Sequence, residues 1–147
     1  MTTYKGTNRT LVDQGPSFAP IVGGQGGGKM ATFYDSYTIP ASGFLDGDSI
    51  ELGPVNALRK GDIFMGLALW HEAMGSSVVA KVGDDGDDDR YFTATSVATA
   101  ATAPKTENAF AGVGYVLTQD RPLLVNLSGA APTAGKIIKL RWHVLRP

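Results

Sequence analysis

The sequence predicts an all-β domain, an antiparallel β-sandwich or barrel of about eight strands. Three observations carry this. Short runs rich in β-branched and aromatic residues recur along the chain, Gly, Pro and Asp turn signals punctuate them, and no long helical pattern intervenes. Glycine is 19 of 147 residues, well above the usual share of about 7%, as tight turns require. One domain of this length can bury a real core. With no cysteine, it must hold by packing, without disulfides or thiolate metal sites.

Residues 1–29 read as an extended N-terminal arm and residues 30–147 as the β-sandwich domain. Thr2 to Arg9 is polar, Gly15-Pro16 and Pro20 interrupt regular structure, and Gly23 to Gly28 is nearly all glycine, a flexible tether by composition. Leu11, Val12, Phe18, Ile21 and Val22 give the arm apolar anchors for a neighbouring subunit. Thr32 to Thr38 is the first strand of the domain and stops at Pro40. Ser49 to Leu52 is a short strand closed by Gly53-Pro54. After the turn Lys60-Gly61-Asp62, Ile63 to His71 is the longest strand candidate; Ile63, Met65, Leu67 and Leu69 share one face and Phe64, Gly66, Ala68 and Trp70 the other. Both faces are apolar, so this strand is expected to be central.

Val78 to Val82 and Tyr91 to Val97 are strands joined through Gly83-Asp84-Asp85-Gly86-Asp87-Asp88-Asp89-Arg90. Five carboxylates in so short a space read as a solvated turn, with Gly86 supplying positive φ and Arg90 pairing with a neighbour. Residues 98–111 are small and interrupted by Pro104; a loop and a short helix both fit. Val113 to Leu117 and Leu123 to Leu127 follow as strands. Lys136 to Leu145 has the cleanest alternation: Ile138, Leu140, Trp142 and Val144 point to a core, while Lys139, Arg141 and His143 face solvent or a partner.

Thirteen Lys and Arg against 14 Asp and Glu leave a net charge of −1, which argues against direct nucleic-acid binding. The apolar run Ile63 to Trp70 is too short for a membrane span, and no apolar segment follows Met1 to Lys5 as a secretory signal would require. The expectation is a chain made in a cell's cytoplasm, with no membrane partner. Charged residues are only 18% of the chain, against about 25% usually, so much of its surface is expected to be covered by other subunits.

No motif makes an enzyme. Gly23 to Met30 has P-loop spacing, but Met30 stands where Mg²⁺ binding needs Ser or Thr. Asp84, Asp85, Asp87, Asp88 and Asp89 offer oxygen ligands for Ca²⁺, yet an EF-hand counted from Asp84 would put Asp89 at the glycine position and Thr95 at the glutamate position. His71 and His143 each follow a tryptophan, with no third ligand or nucleophile in register. Asp46 and Asp48 read as a turn rather than a hydrolytic pair. No catalytic residue, cofactor site or resident metal is expected.

Several stretches together carry a resemblance. Val82–Asp84 before an acidic turn, Arg90–Thr95, the Ala/Thr-rich Ala98–Ala103, Gly112–Tyr115 and the closing Ile137–Leu140 resemble the head decoration, or cement, proteins of tailed bacteriophages. The resemblance implies a jelly-roll-like sandwich in the virion, on the capsid surface, clamping neighbouring major capsid subunits. Such proteins often form trimers or dimers; the low charge and the Ala/Thr-rich segment 94–103 lead us to expect a homo-oligomer, with a trimer favoured. The runner-up is another virion part on the same sandwich, such as a head-fibre base, tail component or carbohydrate-binding module. Exposure of Tyr91, Trp70 and Trp142 is the deciding observation between them.

Overall fold

The computed structural model describes residues 1–6, 29–106, 108–109 and 112–147. The arm anchors Leu11, Val12, Phe18, Ile21 and Val22 lie outside the described residues, as does the whole glycine tract from 23 to 28. Among the described residues there are nine strands: β1 (Thr3–Lys5), β2 (Lys29–Thr38), β3 (Ser49–Leu52), β4 (Ile63–His71), β5 (Val79–Asp84), β6 (Asp87–Ser96), β7 (Lys105–Thr106), β8 (Leu123–Ser128) and β9 (Ile137–Arg146). They form two sheets, ordered β1-β3-β8-β5-β6 and β2-β9-β4-β7. Every pairing is antiparallel except β1 with β3. The expected all-β sandwich is the observed one.

The core lies between the sheets and is filled by the inward-facing residues of their strands. Ile138, Leu140, Trp142 and Val144 of β9 all point into it and are fully buried. Across β9, Phe33 of β2 stacks on Trp142 with ring centroids 5.3 Å apart. Gly53, at φ +76°, sits so close that a Cβ there would lie 2.6 Å from the Trp142 ring. Only glycine satisfies both the backbone and that approach.

Four sequence expectations are corrected. First, Thr3–Lys5 is an edge strand paired with Ser49–Glu51. Its three residues are too few and too polar to announce themselves. Second, β4 is interrupted by a bulge between Phe64 and Gly66. The extra residue re-phases the strand, so Phe64 joins Leu67 and Leu69 in the core while Met65 is exposed. At nine residues β4 is also shorter than β2, β6 and β9, which have ten each.

Third, the acidic segment is mostly strand: β5 runs through Asp84 and β6 begins at Asp87, leaving only Asp85 and Gly86 in the turn. From Val82↔Phe92 to Asp84↔Asp87, β5 advances two residues and β6 five. That bulge lets the adjacent Tyr91 and Phe92 both enter the core, which strict alternation forbids. Fourth, Val113–Leu117 is not a continuous strand: it opens in a turn at 112–114 and meets β4 only through an isolated bridge between Val116 and Ile63. Gly114 sits at φ +83°, and a Cβ on Gly112 would meet the Arg90 carbonyl oxygen at 2.3 Å. The turn clasps the open edge of β4: Gly114 N–H donates to the Phe64 carbonyl, and Phe64 N–H to that of Tyr115.

Candidate functional site

Two clusters of polar and aromatic side chains stand out, one at the β5–β6 hairpin and one on the outer face of the β2-β9-β4 sheet. In the hairpin, Asp84 is buried rather than solvated. Its Oδ2 accepts from Tyr91 O–H and Arg90 Nε, each at 2.9 Å, and its Oδ1 accepts from Gly86 N–H at 2.8 Å. Arg121 Nη1 lies 3.5 Å from Asp84 Oδ1 and donates to Asp85 Oδ1 at 2.6 Å. A buried carboxylate is tolerated because its lone pairs are filled by charged and neutral donors. Burial, reinforced by Asp84, pushes the Tyr91 hydroxyl well above its usual range, so it stays a donor. The Arg90 guanidinium also lies 4.2 Å over the Tyr115 ring.

Gly86 does not adopt positive φ. Its lack of a side chain matters for another reason: a Cβ would lie 2.4 Å from Arg121 Nη1. Gly86→Ala is therefore expected to displace Arg121 and destabilise the protein by about 1–2 kcal/mol, measured by urea unfolding. An unchanged midpoint would show that the guanidinium has room to move.

The five aspartates do not converge on one point. Asp84 and Asp85 are held by arginines, and Asp88 Oδ2 lies 3.1 Å from Lys81 Nζ. Carboxylate oxygens of Asp87, Asp88 and Asp89 do come within 4.8 Å of one another. A hydrogen bond with Asp87, together with burial and its charged neighbours, raises the Asp89 carboxyl above the usual range. In the Leu45–Ser49 turn, Asp48 accepts from the Leu45 and Thr2 amides, which hold its carboxyl below the usual range, while Asp46 accepts from Gly129 N–H. These are turn caps. Lys29 and Met30 begin β2, so no helix follows the glycine tract.

The histidines are separated. On β9, His143 faces outward and its Nδ1 is 2.9 Å from Thr32 Oγ1. His71, near the end of β4, is buried; its Nδ1 lies 3.0 Å from the Glu72 carbonyl oxygen. A carbonyl only accepts, so Nδ1 carries the proton. Burial lowers the imidazole below 6.5, opposed by that hydrogen bond and assisted by Lys105. The unfolded chain therefore takes up a proton near pH 6.5 before the folded chain does. Stability should be level above that pH and fall as pH drops through 6.5 towards the folded value. In His71→Asn, with Glu72 and Lys105 kept, that part of the acid slope should vanish from unfolding curves taken at several pH values.

On the outer face, β9 lies between β2 and β4. Tyr34 pairs with Arg141 and Ser36 with Lys139; across β9, Arg141 opposes Ala68 and Lys139 opposes Trp70. An open cavity of about 490 Å³ is lined by Tyr34, Trp70, His71, Glu72, Ile137 and Lys139. Tyr34 is 49% exposed and Trp70 is half-buried. Arg141 is 5.3 Å above the Trp70 ring, and Glu72 Oε2 accepts from Ile137 N–H at 2.8 Å. Among the described residues, Lys139 has no carboxylate partner. Of the three aromatics singled out from the sequence, only Trp70 reaches the surface; Tyr91 and Trp142 are fully buried. Alternation had shown the Lys139–Arg141–His143 face, but not that Tyr34 would stand beside it.

One further outward row is apolar. Met30 pairs with Leu145, Leu145 with Ile63, and Ile63 with Val116. Met30 is 41% and Val116 53% exposed, with Met65 and Val113 also exposed.

No family model and no curated protein matches the chain. Solved structures do. A chain of the "Capsid of Ralstonia phage GP4" superposes with a TM-score of 0.72 at 16% identity, covering 99% of each chain. One from the "Cyanophage Pam1 capsid asymmetric unit" gives 0.68 at 22% identity, over 92% of this chain and 96% of that one. A third, from the "Acidic stable capsid structure of Helicobacter pylori bacteriophage KHP30", gives 0.56 at 12% identity, over 80% and 88%. At these identities the likeness is one of fold.

Proposed function

We propose that this chain is a structural protein of a phage virion that decorates the capsid, binding the outer shell and clamping neighbouring major capsid subunits. The observation that carries the reading is the near-end-to-end likeness to chains from phage capsids, two of them covered at 96% and 99% of their own length. It does not act as an enzyme. The outward row Met30, Leu145, Ile63 and Val116, exposed at its Met30 and Val116 ends and half-buried between, supplies apolar surface for a lattice, and Leu11, Val12, Phe18, Ile21 and Val22 supply further anchors from the arm. On a shell, many weak contacts add through multivalency. The protein would be made in the host cytoplasm and act at the capsid surface as a homotrimer.

Light scattering tests the oligomer: a mass three times the 15.4 kDa chain is expected. A variant with all five arm anchors changed to Ser should keep that mass but lose capsid binding. A full-length protein that stays monomeric overturns the trimer, and unimpaired capsid binding by the variant overturns the role of the arm.

A second reading keeps the virion but gives the sandwich a recognition role, as a head-fibre base, tail part or carbohydrate-binding module. The open groove beside Trp70 and Tyr34 favours it.

A further inference from the structure

We propose that the groove between Tyr34 and Trp70 binds an acidic saccharide, one carrying a carboxylate on the sugar ring. This deepens the carbohydrate-binding reading by naming the ligand class. It stands or falls separately from capsid decoration, since a capsid-bound protein would carry the same groove.

The size comes first. About 490 Å³ lies within the roughly 300–1,000 Å³ of small-ligand pockets. The chemistry comes next. Trp70 on β4 and Tyr34 on β2 stand on either side of β9 and line the groove, two aromatic side chains against which the C–H faces of a sugar ring would pack. Arg141 packs over Trp70 and braces it. Lys139 lies between them in the strand order, a cation without a carboxylate partner among the described residues. A ring carboxylate is its natural complement.

Glu72 completes the set. Its Oε2 is engaged by Ile137 N–H, which fixes the side chain, and its Oε1 has acceptor capacity for a sugar hydroxyl. Neither a helix N-terminus nor a glycine nest lines the groove, so it lacks the backbone donors that commonly hold a phosphate. Aromatic walls, one cation and one hydroxyl acceptor together describe an acidic sugar better than a phosphate or a neutral glycan.

The test uses the full chain on an array of neutral, carboxylated and sulfated oligosaccharides, followed by NMR titration of the strongest carboxylated glycan into the millimolar range. Binding confined to carboxylated glycans is expected, with a loss of about tenfold or more in both Trp70→Ala and Lys139→Ala. Met65→Ser, elsewhere on the same face, should bind as the parent does. Thermal unfolding of each variant identifies any that fail to fold, and Lys139→Gln, at an exposed position, then replaces such a variant. Absence of binding, equal binding of neutral glycans, or binding of sulfated polyanions that ignores Trp70→Ala would each overturn the proposal. So would self-association abolished by Lys139→Glu with no glycan bound, because the groove would then belong to a second copy.

Discussion

Replacing Asp84 by alanine is expected to lower the unfolding free energy by about 3 kcal/mol, read as a fall in the urea midpoint. The loss comes from what stays behind. Arg90, Arg121 and the Tyr91 hydroxyl all turn towards this one carboxylate, and Tyr91 is fully buried against Phe64 with ring centroids 4.0 Å apart. Without Asp84 the Tyr91 O–H loses its acceptor and the two guanidiniums lose their buried anion. Those guanidiniums keep 17% and 14% side-chain exposure, which lets water recover part of the loss and sets the value at the low end of the range for a broken buried pair. Asp85→Ala is the control. Its side chain is 51% exposed, so a cost below about 1 kcal/mol is expected. Equal costs at both positions would mean that burial of Asp84 is not what matters.

Trp142→Ala should cost more, about 4 kcal/mol, as large-to-small changes in a closed core do. Trp142 is fully buried, stacked on Phe33 and pressed against Gly53, at the middle of a strand paired on both sides. The neighbours cannot collapse into the gap without moving β2 or β4. Its indole N–H has no hydrogen-bond partner among the described residues. Trp142→Phe removes that unpaired donor as well as volume, so it should cost only about 1 kcal/mol. A phenylalanine variant as unstable as the alanine one would contradict this, and would point to a partner for the indole nitrogen.

The alternation of β9 made its core face and its outward face readable residue by residue, because a half-buried strand leaves a period of two in the sequence. The limits of β3 and β4 were readable from their flanking turns. Two bulges were not. The one at Phe64–Gly66 reverses which residues of β4 are inside, and the one opposite Gly83 buries both Tyr91 and Phe92; each depends on pairing with a distant strand, which local pattern does not contain. The buried Asp84 was hidden for the same reason. Five clustered carboxylates look solvated until Arg121, 37 positions beyond Asp84 in the chain, is brought over the turn. The groove was half legible: the cationic stripe of β9 was visible, but its assembly with Tyr34 and Trp70 needed the order β2-β9-β4.

The proposed capsid decoration is tested most directly by mixing purified full-length protein with phage capsids prepared without it, then sedimenting the shells. Decoration requires that the protein pellets with the capsids at a saturable stoichiometry, and that the loaded shells withstand heat or osmotic shock better than bare ones. Protein that stays in the supernatant, with bare shells as robust as complete ones, would contradict the proposed decoration role.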